Sequence, residues 1–166
     1  SLSDSAVNLL FYSSGDTVWN RLHQPMSNGT GLFGHKLAQH VAVPLPGSNN
    51  KYYLFTNDFH NLIVQKKGLS YSVTDMSLAG GNGSVTVRNV QLMPNAMRLA
   101  AAVRHCNGKD IWVVGHEALT DVFHSYLLTA AGLNTVAVQS AVGPVTYTSV
   151  PQGPCPLART MKIYPG

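Results

Sequence analysis

The side chains able to do chemistry are few and widely spaced. Seven histidines, His23, His35, His40, His60, His105, His116 and His124, are the candidate bases and metal ligands. The carboxylates are Asp4, Asp16, Asp58, Asp75, Asp110, Asp121 and Glu117. His116-Glu117 begins like the helical motif of zinc proteases, but that motif needs a second histidine one helical turn on, and position 120 is Thr. A structural zinc site wants a full tetrahedral set of nitrogen or sulfur ligands at close spacing, and none is visible. His116 and His124 are the one pair that a hairpin can bring face to face. No metal and no cofactor is expected.

The remaining catalytic patterns fail on spacing. A glycosidase needs two carboxyl groups within about 5 to 9.5 Å, and no such pair announces itself among so few acids. There is no Gly-x-Ser-x-Gly elbow. The stretch "AGGNGSV" (79–85) lacks the third glycine and following helix of a phosphate cradle, so it reads as a loose hairpin. Asp16, Asp58 and Asp110 fall at strand ends, where a carboxylate accepts hydrogen bonds from turn amides. Calcium would want about six or more oxygens, and so several acids close together. No catalytic residue is expected. Cys106 and Cys155 sit in turn-like surroundings, "RHCNGK" and "QGPCPL", as two thiols or as one disulfide, depending on how near the fold brings them.

Composition narrows the class further. The chain has 166 residues, 45% hydrophobic and only 11% charged, and its formal charge of +4 reflects scarce acids. Lys66-Lys67 are the only adjacent Lys/Arg pair, so the clustered bases that track phosphates are missing and nucleic acid is not an expected partner. No apolar run approaches the roughly 18 residues of a membrane-spanning helix, and "SLSDSAVNLL" has no basic region before an apolar one, so any secretion signal has already been removed. The uncharged, Ser/Thr/Asn/Gly-rich composition suits an extracellular surface. "NGT" (28–30) and "NGS" (82–84) accept glycans only in a host that attaches them.

The elements that would position these residues are short β-branched and aromatic runs between turn residues: 8–13, 17–21, 40–46, 51–58, 69–76, 84–93, 110–117, 123–129, 135–142 and 159–164. The Ala-rich segment 95–105 has helix propensity, but it leads through a Gly turn into a strand and is read as a strand. Two turns repeat: Gly15 precedes Thr17-Val18-Trp19, and Gly108 precedes Ile111-Trp112. In each, Gly supplies the backbone freedom of a tight hairpin, and the Trp is expected to pack between neighbouring sheets. Four strands per repeat is the rhythm of propeller blades. The expected fold is therefore all-β, a partial β-propeller of about two to three four-stranded antiparallel blades. Its units are 1–37, 38–95 and 96–156, with 157–166 starting another. A closed propeller needs at least about four blades, so the chain reads as part of a longer protein. Its partners would be the rest of that propeller or other copies, and its unpaired sheet edges would make it aggregation-prone alone.

Several stretches also carry a family resemblance. "NLLFYSSGDTVWNRLHQPMSNGTGL", "YYLFTNDF", "GLSYSVTDMSLAGGNGSVTVRNVQLM", "RHCNGKDIWVVGHE" and "FHSYLLTAAGL" resemble the N-terminal WD40-like propeller region of large secreted Bacteroidetes surface proteins. Those proteins are associated with gliding motility and type IX secretion and end in a C-terminal sorting domain. The resemblance implies a secreted or surface-attached propeller and brings no catalytic residues with it. The chain departs from the pattern at Ser14, where an acid is usual, and at Cys106, where Ser is commoner. "SSGDTVW" also resembles the Asp-box turn of sialidases, which lies at a blade's periphery. The function expected is a non-catalytic module for adhesion, assembly or protein and glycan binding. The alternative is a fragment of a secreted carbohydrate-active or other hydrolytic enzyme.

Overall fold

A computed structural model describes residues 1–36, 38–58, 67–143 and 145. His60, Lys66, Cys155, the run 159–164 and the unit 157–166 lie outside the described residues, so the Cys106–Cys155 pairing does too. The chain builds three consecutive antiparallel meanders. The first holds β1 (Leu2–Ser3), β2 (Leu9–Ser13), β3 (Thr17–Asn20) and β4 (Pro25–Thr30), each paired with the next. Alternation decides which face is buried: Phe11, Val18 and Met26 point inward, while Tyr12 and Trp19 point out.

The second meander holds β5 (Val41–Pro44), β6 (Lys51–Asp58), β7 (Gly68–Asp75) and β8 (Ser84–Met93), with a 3₁₀ turn at Ala79–Gly81 in the β7–β8 connection. A parallel pairing at Ser27 and Ser84 joins β4 to β8, giving one eight-stranded sheet in the order β1-β2-β3-β4-β8-β7-β6-β5. The sheet curls until it is nearly closed. Across the gap, β2 and β6, each one strand in from an end, touch where the Phe11 and Tyr52 rings pack edge to face at 5.6 Å.

The third meander is a separate sheet of β9 (Ala96–Arg104), β10 (Ile111–Glu117), β11 (Val122–Thr129), β12 (Gly132–Leu133) and β13 (Val138–Ala141). Strands β12 and β13 share the outer edge of β11, pairing at Leu128–Thr129 and at Val122–Ser125 respectively. The Ala-rich segment is a strand because β10 pairs with it from Arg104 back to Ala96, so ladder hydrogen bonds override local helix propensity.

Two cores follow from this layering. Phe11, Val18, Met26 and Leu32 pack on Leu54, Met76 and Val85 between the first and second meanders. Val43, Phe55 and Leu69 pack with Met93, Ala96, Ala100, Val113, Tyr126 and Leu128 between the second and third. Each fully buried aliphatic or aromatic side chain contributes about 1.5–3 kcal/mol. Strands β6 and β7 are covered on both faces, so they are buried almost continuously, as in "YLFTN" and "GLSYSVT". Side chains tie the layers together. Asn57 Nδ2 donates to the carbonyl of Met97, and Tyr126 Oη donates to the Leu92 carbonyl at 3.2 Å.

The all-β expectation holds, and the propeller is not shown. The three meanders fall within 1–37, 38–95 and 96–156, but the first two are fused edge to edge in one curled sheet rather than standing as separate blades.

Candidate functional site

The repeated turn occurs twice, in two different environments. In the β2–β3 hairpin Gly15 is buried with φ near 101°. Its N–H donates to Ser13 Oγ at 3.0 Å, and the Leu32 N–H donates to the Asp16 carbonyl at 2.9 Å. A methyl at Gly15 would stand 2.6 Å from His40 Nε2 and 3.1 Å from the His35 carbonyl carbon. In the β9–β10 hairpin Gly108 is exposed with φ near 72°, and a methyl there would meet nothing within 4 Å. Asn107 organises that turn: its Oδ1 accepts from the Lys109 and Asp110 amides, each at 3.0 Å.

Both tryptophans lie half-buried on the faces turned away from the cores. Packing between layers falls to their neighbours Val18 and Val113, both fully buried. Trp19 and Tyr12 are cross-strand partners whose rings lie nearly parallel, 6.3 Å apart. Tyr12 Oη stands 3.3 Å from Nδ1 of His23, which adopts φ near 60° in the turn after β3. That turn is capped by Asn20, whose Oδ1 accepts from the Leu22 and Gln24 amides. Trp112 lies 5.8 Å from the His105 ring, and His105 Nδ1 accepts from the Asn107 amide and stands 3.5 Å from Cys106 Sγ. Cys106 is exposed and free among the described residues.

Two expectations are corrected. His116 and His124 do not face each other: Phe123 is opposite His116 and His124 is opposite Gly115, so the two imidazoles project from opposite faces. His116 packs edge to face on Phe123 at 4.4 Å, and His124 Nε2 meets Glu117 Oε2 at 3.3 Å. Nor do Asp16 and Asp110 bind turn amides through their carboxylates. Asp16 Oδ1 accepts from Ser14 Oγ at 2.9 Å, and Asp110 Oδ2 accepts from Asn107 Nδ2 at 2.7 Å. The amide-binding carboxylates are Asp4, which accepts from Ala6 and Asn8, and Asp75, which accepts from Ser77. Those bonds hold both acids below their usual range, led by the side-chain bonds from Asn8 and Ser77.

The most unusual group is His40. It lines a cavity of about 170 Å³ with Ser1, Phe11, Tyr12, Ser13, Ala42 and Leu54, where the two ends of the curled sheet approach each other. Both ring nitrogens are buried, and neither has a partner at hydrogen-bonding geometry. Burial holds its pKa below the ordinary 6.5, and the nearby His35 backbone and Asp16 charge only partly oppose this. Burial lowers His116 likewise, against the pull of Asp121 and Glu117. In the sequence His40 is one of seven histidines, and no local pattern marks it. Among the described residues no three His, Cys, Asp or Glu side chains converge to hold a metal. No helix there is long and apolar enough to cross a membrane.

Comparison with known protein families, with curated proteins and with solved structures finds no match to this chain.

Proposed function

We propose that the chain is a non-catalytic binding module of an extracellular or cell-surface protein, its three meanders being successive layers of a propeller-like series. The observation that carries this reading is the centre of the second meander, where β6 and β7 are covered on both faces through one core shared with the first meander and one with the third. A series of this sort extends by adding layers and presents its turns and outer faces to partners. The low charge of the sequence, the turn roles of Gly15 and Gly108, and the outward-facing, half-buried Trp19 and Trp112 support it. Partners would be further layers of the same protein, other copies, surface proteins or glycans.

The test pairs binding with turnover on one preparation of the full chain. Saturable binding to a panel of neutral oligosaccharides and purified surface proteins is expected, weakened by Trp19→Ala or Trp112→Ala, with no hydrolysis of polysaccharide or peptide substrates. Turnover that disappears in an Asp16→Asn, Asp110→Asn or Glu117→Gln variant would overturn it in favour of a hydrolytic enzyme.

A further inference from the structure

We propose that His40 is a pH-sensitive latch on the seam of the eight-stranded sheet, holding it closed while the imidazole is neutral and releasing it when the imidazole takes up a proton. The seam is where β2 approaches β5 and β6, marked by the Phe11–Tyr52 contact and by the cavity that Phe11, Ala42 and Leu54 share with His40. The His40 ring is wedged against the β2–β3 turn so tightly that Gly15 has no room for a methyl. Within that wedge both ring nitrogens are shielded from water and lack partners. A neutral imidazole tolerates such a site at modest cost, but an imidazolium there is a buried charge without a hydrogen-bonded counter-ion.

The surroundings supply little relief. From the β2–β3 turn, Asp16 acts on the ring through space, but its Oδ1 already accepts from Ser14 Oγ at 2.9 Å. From the segment after β4, the His35 backbone favours the charged ring while the His35 side chain, itself a base, opposes it, and together they do not outweigh burial. At the cavity itself Tyr12 adds a phenol, Ser13 a hydroxyl and Ser1 a hydroxyl and an ammonium that repels a second positive charge, while β5 and β6 present only Ala42 and Leu54. The cheapest way to solvate a charged His40 is to part the turn from β5. That loosens the bond that ties the segment after β4 to β6, His35 N–H to the Asn57 carbonyl. The second core contains none of these groups and stays shut.

Amide hydrogen exchange of the full chain between pH 7.5 and 5, corrected for intrinsic rates, tests this, with the His40 imidazole followed by NMR in the same samples. Protection of the His35 amide is expected to fall at least tenfold as His40 protonates, while Val113 and Leu128 keep theirs. In His40→Leu the pH dependence at the seam should vanish. Seam protection that stays constant while His40 titrates overturns the latch even if that variant does not fold. So does an equal loss at Val113 and Leu128, or an unchanged pH response in His40→Leu.

Discussion

The β2–β3 and β9–β10 hairpins carry the same local signature, a positive-φ glycine followed by a buried valine and a half-buried tryptophan against an aromatic neighbour. The first is enclosed by His40, His35 and Leu32, whereas the second projects into open space held by Asn107. The motif thus specifies a hairpin but not what surrounds it. Similar turns form a tertiary lock in one sheet and a free surface turn in the other.

The sharpest way to break this comparison is the glycines themselves. Gly15→Ala should cost about 2–4 kcal/mol, because a strained φ adds to a backbone and imidazole collision. Gly108→Ala should cost only about 1 kcal/mol, the φ penalty alone. Denaturant unfolding of both variants checks this, and equal losses would mean that the first turn is no more enclosed than the second.

Val18→Ala and Val113→Ala come next. Each empties space in a different core, and each should cost about 2 kcal/mol by loss of transfer energy plus a residual cavity. A loss confined to one of them, measured by the same unfolding curves, would show that the two interlayer cores are not equivalent.

The caps give a smaller contrast. Asn20 is buried and Asn107 exposed, and each accepts two turn amides. Asn20→Ala should lose about 1–1.5 kcal/mol and Asn107→Ala about half of that, since water replaces the missing acceptor only at the exposed turn.

Acid separates the two sheets more gently. His40 and His116 both have pKa values depressed by burial, so the unfolded chain takes up protons that the folded chain refuses. Their contribution to stability is complete above the ordinary 6.5 and is lost as pH falls from there toward the depressed folded values. Melting temperature should therefore drop between pH 7 and 5, with both histidines contributing. A His40→Leu variant melting with the wild-type pH slope would contradict the part assigned to His40.

Alkylation of Cys106 is the smallest perturbation. Its thiol is exposed, so reaction should proceed in the folded state and shift stability by less than about 0.5 kcal/mol. Thiol titration followed by a melt reads both.

Much of the fold was legible as strands, because period-two alternation and turn residues act locally. The runs at 51–58 and 84–93 coincide with β6 and β8. Strand β4, "PMSNGT", was missed because it opens with Pro and contains Asn and Gly. It exists because β3 pairs with it, and only Met26 and Gly29 turn inward. The site was less legible. His40 has no signature in its own neighbours, and its importance arises from Gly15, twenty-five positions earlier in the chain.

By itself the sequence determined the all-β class and the two glycine hairpins, since these rest on backbone sterics and on residues a few positions apart. Only the tertiary structure decided that the first two meanders share a sheet, that His116 and His124 part to opposite faces, and that the His40 ring nitrogens are buried against Gly15. Each of those depends on register or on contacts between distant segments. A shift of one residue in pairing exchanges the two faces of a strand, and no local pattern fixes which distant strand will lie alongside.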